Sequence, residues 1–160
     1  MTIKLFAIIG LAIFANGFCF ANTNSQSAAE LNKKAYQEIQ KANIASVYKL
    51  ATQAKVVADK NGNLHEKARA LSNIASAHFY IGNHQKALEL YLESLAIAEK
   101  LNDFDGIERA LNNTSNVYSE IGSLEEALEY RLLLPANKGI KRPPRDTVTA
   151  FVALANIYLE

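Results

Sequence analysis

The sequence predicts an all-α fold of antiparallel helix pairs, about three and a half of them, the last incomplete. Three observations predict it. At a shift of 40 residues, Arg69-Ala70-Leu71 meets Arg109-Ala110-Leu111, Asn73 meets Asn113, Ile81-Gly82 meets Ile121-Gly122, and Ala87-Leu88-Glu89 meets Ala127-Leu128-Glu129. With Leu92 over Leu132 and Ala96 over Ala136, this gives eleven identities in the thirty positions 69–98, and a fixed period of this size marks a repeat architecture. Apolar residues inside each unit recur at helical spacing, and no stretch alternates as a half-buried strand would.

The first element is a targeting segment. Lys4 is the only charge in the first 29 residues and precedes the apolar run Leu5 to Ala15, then Asn16-Gly17 and Phe18-Cys19-Phe20-Ala21. A basic start, a short apolar stretch and a small-residue end make a secretory signal peptide. Cleavage after Ala21 places the mature chain in the periplasm or outside the cell. The alternative is an uncleaved anchor, because Leu5 to Ala21 sits near the ~17-residue lower limit for a bilayer span, although Asn16 and Gly17 break the run. Lipid attachment at Cys19 is disfavoured by the bulky Phe18 before it. Cys19 is the only cysteine, so the mature chain has no disulfide, thiol nucleophile or cysteine metal site.

Composition narrows the classes further. Hydrophobic residues make up 49% and charged residues 21%, with a net charge of +1. Without residues 1–21 there are 16 Lys+Arg against 16 Asp+Glu, a net charge of zero. A neutral domain has no long-range field for nucleic acid or anionic lipid. After a flexible mature start over 22–27, one helical domain is expected over 28–160, in units of about 28–65, 66–105, 106–145 and a partial 146–160.

Each unit reads as two helices. Ser27 with Glu30 marks the first mature helix as a cap with an acidic third position. The segment from about Glu66 to Tyr80 carries Ala70, Leu71, Ile74, Ala77 and His78 on one face. Gly82 closes it in the left-handed region, and Asn83 caps the next helix, whose inner stripe is Ala87, Leu88, Tyr91, Leu92, Leu95 and Ile97-Ala98. In the next unit Asp105 with Glu108, and Ser123 with Glu126, fit the same cap pattern. The register continues into a third copy, where Ala110, Asn116, Tyr118 and Glu120 return as Ala150, Asn156, Tyr158 and Glu160. Upstream it is fainter, with Leu31, Leu50, Ala58 and Lys60 falling where Leu71, Leu90, Ala98 and Lys100 do.

Ile81-Gly82 with Ala87-Leu88 and Tyr91, repeated as Ile121-Gly122 and Ala127-Leu128, resembles the tetratricopeptide repeat pattern. The 40-residue spacing and the string Arg-Ala-Leu-x-Asn are similar to the long variant in kinesin light chains, spindle-orientation adaptors and the periplasmic sensor portions of bacterial histidine kinases and diguanylate cyclases. HEAT repeats share the period without this Gly and Ala–aromatic placement. Two positions depart from the pattern: His78 replaces the usual aromatic of the first helix, and Arg131 that of the second helix one unit later.

The resemblance implies a right-handed superhelix whose first helices line a concave groove. Its groove positions fall here on Arg69, Ser72, Asn73, Ser76, Phe79 and Tyr80, then on Arg109, Asn112, Asn113, Asn116, Ser119 and Glu120, and in the third copy on Val152, Asn156 and Leu159. Asparagine can donate to and accept from a peptide main chain, and arginine can pair with acidic side chains. A protein or peptide ligand is therefore the expected partner. The alternative is that Asn73 and Asn113 bond the neighbouring helix while Arg69 and Arg109 are solvated charges. The overlapping glycosylation sequons of Asn112-Asn113-Thr114-Ser115 fall mid-helix and read as incidental.

No catalytic constellation is legible, and neither a cofactor nor a metal is expected. His65, His78 and His84 share no ligand spacing and read as a loop, a core position and a helix start. No Gly-rich phosphate loop, nucleophile elbow or paired-carboxylate signature occurs.

Beyond Leu134 the repeat breaks. Pro135 replaces Leu95, and a proline inside a helix costs about 3 kcal/mol or more, so the helix is expected to stop near Leu133. Lys138, Lys141, Arg142 and Arg145 then surround Pro143-Pro144 without an acid; this reads as a solvated linker or as a basic loop for an acidic partner. A helix from Asp146 would leave Phe151, Leu154, Ala155 and Tyr158 uncovered on one side. A fragment of a longer protein, self-association through this C-terminal helix, and a truncated gene product are the three expectations. Two functional readings result: a secreted or periplasmic interaction module without catalysis, or the N-terminal sensor portion of a membrane-bound signalling enzyme.

Overall fold

The computed structural model describes residues 26–134. Six helices occupy them: α1 (Ala28–Gln40), α2 (Ile44–Lys60), α3 (Leu64–Tyr80), α4 (His84–Leu101), α5 (Phe104–Glu120) and α6 (Leu124–Leu132). No strand occurs among the described residues. The expected signal segment, Pro135, the basic stretch and the expected third copy with Val152, Asn156 and Leu159 lie outside them.

The turns repeat twice as often as the helix pairs. Positive φ occurs at Ala42, Gly62, Gly82, Asn102 and Gly122, every 20 residues. The following residue caps the next helix, at Asn43, Asn63, Asn83, Asp103 and Ser123. Its backbone N–H also closes the previous helix, donating to Glu38, Ala58, His78, Ala98 and Tyr118 carbonyls at 2.9–3.0 Å. A left-handed residue and this long-reach bond form the helix-closing turn that consumes otherwise unmatched carbonyls. One three-residue device therefore ends one helix and starts the next throughout.

Two of the four expected caps are realised in full. Ser27 and Glu30 form the full reciprocal box, at 3.2 and 3.1 Å. Asn83 accepts from the Lys86 N–H at 3.2 Å. Two expectations need correction. The start of α5 is capped by Asp103, which accepts from the Gly106 N–H at 3.1 Å, not by Asp105. The left-handed Asn102 fixes the cap one residue later, and Asp105 becomes a first-turn acid favourable to the helix dipole. Ser123 holds the cap position of α6 but makes no side-chain cap bond. Likewise α3 starts at Leu64, because Asn63 caps it through the Glu66 N–H at 3.1 Å.

Helix α3 touches both α1 and α5, whereas α2, α4 and α6 touch only their sequence neighbours. A stack whose first helices meet and whose second helices splay apart is concave on the first-helix side. Small residues make the close approach possible: Ala51, Ala54, Ala58, Ala70, Ala75, Ala87, Ala98 and Ala110 are all fully buried. The last packed layer joins Leu95 and Ala98 of α4 to Ile107, Ala110 and Leu111 of α5 and to Tyr130 and Leu133. As expected, α6 ends just before Leu133, which caps it.

Candidate functional site

On the concave side, α1, α3 and α5 enclose a cleft of about 590 Å³. Nine expected groove residues line it: Ser72, Asn73, Ser76, Phe79, Tyr80, Arg109, Asn112, Asn113 and Asn116. Arg69 is not among the lining residues; its guanidinium pairs with Glu66 at 3.2 Å. Five lining residues were not anticipated: Tyr36 and Ile39 from α1, Tyr91 from α4, and Asp105 and Glu108 from the start of α5. The carboxylates were legible in principle, since Asp105, Glu108 and Asn112 follow helical spacing along one face.

The polar lining is held in defined orientations. Asn32 is buried on α1 and donates to the Glu66 carbonyl at 2.9 Å and to its carboxylate at 2.7 Å. Asn73 donates to the Asn32 carbonyl at 3.3 Å and to Asn32 Oδ1 at 3.4 Å. Its amide nitrogen thus ties α3 to α1, which was the alternative expectation for this residue. From α6, Arg131 donates to the α5 side chains Asn112 Oδ1 at 3.0 Å and Asn116 Oδ1 at 3.5 Å. One unit earlier the same place is taken by a hydrogen bond between the hydroxyls of Ser76 and Tyr91 at 2.9 Å. Ser76 already donates to the Ser72 carbonyl, which leaves Tyr91 as the donor. Burial pushes the Tyr91 hydroxyl up to about 12, so the ring stays neutral in the site.

A charge network joins the start of α3 to the start of α5 around Arg109. Burial raises the Glu66 carboxyl, but the Asn32 hydrogen bond, the Arg69 charge and the His65 contact outweigh it and hold it below its ordinary value. His65, expected in a loop, sits in the first turn of α3, with Nε2 3.2 Å from Asp103 and Nδ1 3.5 Å from Glu66. It therefore spans from α3 to the cap of α5. Arg109 is held below its ordinary value by burial first and by Arg69 second, against the opposing charges of Asp103, Asp105 and Glu66. The lining itself carries two carboxylates and one guanidinium.

The remaining histidines are packing residues. His78 is half-buried, edge-on to Tyr48 with centroids 5.8 Å apart, and His84 stands against Phe79 at 5.7 Å. No group of three or more His, Cys, Asp or Glu poised for a metal ion occurs among the described residues. No helix among them is long and apolar enough to cross a membrane.

Residues 66–130 match the tetratricopeptide repeat family model. That interval runs from the first turn of α3 to α6. No curated protein and no solved structure matches the chain.

Proposed function

We propose that this chain binds an extended peptide segment of a partner protein in its concave cleft; residues 66–130 match the tetratricopeptide repeat model, a family of protein–protein interaction modules that are typically non-catalytic. The observation that carries this reading is the cleft of about 590 Å³, lined by Asn73, Asn112, Asn113 and Asn116 beside Tyr36, Phe79 and Tyr80. Amides supply donors and acceptors for a main chain, and aromatic rings supply rigid apolar contact area. The single Lys4 followed by the apolar run Leu5 to Ala15 supports an exported chain that acts in the periplasm or beyond.

Partner capture with the full chain tests the reading. The double variant Arg109→Ala/Asn116→Ala, retaining wild-type helicity by circular dichroism, is expected to lose most of the captured partner. Undiminished capture by that folded variant overturns the groove as the binding surface. Recovery of the protein in a cytoplasmic fraction with residues 1–21 intact overturns the export reading.

A further inference from the structure

We propose that the chain's own basic proline segment, Lys138 to Arg145, occupies the concave cleft of the same molecule and competes with any external peptide. The proposal rests on the peptide-binding reading above and names the occupant.

Three features of the cleft select this kind of ligand. The first is hydrogen-bond polarity. Arg131 engages the oxygens of both Asn112 and Asn116, so what these side chains offer a ligand is their amide N–H groups. A Pro-Pro pair supplies carbonyl acceptors and brings no N–H donors of its own. The second is aromatic surface. Tyr36 and Tyr80 are 57% and 56% exposed on the cleft wall, and aromatic-lined grooves are the usual seat of polyproline II segments, which bind at low entropic cost because they are preformed. The third is charge. Asp105 and Glu108 line the α5 side, and the segment carries Lys138, Lys141, Arg142 and Arg145 without an acid.

Chain connectivity places the segment within reach. Leu133 packs in one cluster with Ile107, Ala110 and Leu111, so α6 ends beside the turns of α5 that carry Asp105 and Glu108. The seven residue steps from Leu134 to Lys141 span up to ~23 Å when extended, more than the ~16 Å that separates Asp105 from Asn116 along α5. A tethered ligand of this kind acts at an effective concentration of order millimolar, so a weak contact suffices to fill the cleft.

Carbodiimide coupling of the dilute full chain, followed by peptide mapping, tests this. The reagent joins a carboxylate to a lysine amine in contact with it, and the Lys67–Asp59 pair at 2.9 Å serves as the internal standard. The expected product links Glu108 or Asp105 to Lys138 or Lys141 within one chain. Substituting Glu108→Gln with Asp105→Asn should abolish it and leave the standard unchanged. The tail variant Lys141→Glu/Arg142→Glu/Arg145→Glu should also capture external peptide about tenfold more strongly than the wild type. A standard crosslink without the tail crosslink overturns the proposal, as do tail crosslinks found only in species of twice the mass. If the wild type then still captures a partner through Arg109 and Asn116, the peptide-binding reading survives the loss of this one.

Discussion

The pairs α3/α4 and α5/α6 are built on one template yet use it differently. In the first, Ile74 and Ala75 are buried on α3, and buried Tyr91 reaches across to Ser76. In the second the same positions hold Thr114, Ser115 and Arg131. Ser115 donates to the Ala127 carbonyl at 2.8 Å, whereas the fully buried Thr114 hydroxyl has no hydrogen-bond partner among the described residues. The aromatic contact moves as well: Tyr118 stacks on Tyr130 with centroids 5.4 Å apart, where the earlier unit sets His78 against Tyr48. Helix α4 runs 18 residues and α6 only 9. The first pair therefore holds the stack, and the second trades apolar packing for a polar wall on the cleft. A repeat can keep its backbone device constant while its side chains divide the labour.

The largest expected difference between the pairs lies at Tyr91 and Arg131. Replacing buried Tyr91 with Ala should cost about 3–5 kcal/mol, whereas Arg131→Ala, at an exposed position, should cost less than about 1 kcal/mol and weaken peptide capture instead. Chemical denaturation of both variants checks this, and equal losses would erase the distinction. Tyr91 also predicts a pH dependence. Its folded value lies above the unfolded one, near 10, so its contribution is complete below pH 10 and is lost as pH climbs toward about 12. Tyr91→Phe should remove that alkaline leg.

Gly106→Ala should follow, at about 1–3 kcal/mol. A Cβ there would lie 2.5 Å from Asp103 Oδ2 and 3.1 Å from the Ala98 Cβ. The cap and its link to His65 would be displaced together, so the loss should be less than additive with Asp103→Ala.

Thr114→Val should stabilise by about 1 kcal/mol, because it removes an unmatched buried hydroxyl without changing volume much. The melting temperature should rise by roughly 2–4 °C; a fall would show that the hydroxyl has a partner. Ala42→Gly should give the smallest gain, about 0.5–1 kcal/mol, by relieving a left-handed alanine.

The 40-residue period was legible because Gly82, Gly122 and the alanines that follow them are forced by geometry. The underlying 20-residue period of the turns was not, because Ala42 and Asn102 occupy left-handed positions without the glycine that announces one. The same gap hid the cap of α5: Asp105 and Glu108 match a capping pattern locally, but the backbone at Asn102 decides in favour of Asp103. Most of the cleft wall could be read from the repeat register. The α1 contributions share that register, with Tyr36 and Ile39 at the places of Ser76 and Phe79, but the faint upstream repeat and the shorter α1, 13 residues where α3 and α5 have 17, concealed them. Arg69 was a groove candidate by position alone; whether it faced a ligand or Glu66 depended on a buried carboxylate that spacing does not show.

The most direct test of the cleft as the binding surface is a titration of the isotope-labelled full chain with a peptide of sequence 138–145, read by side-chain amide resonances. Shifts confined to Asn112, Asn113 and Asn116 are expected, with backbone changes near Tyr36 and Tyr80, enhanced in the tail variant. Shifts concentrated on α2 and α4, with these asparagines unmoved, would contradict it.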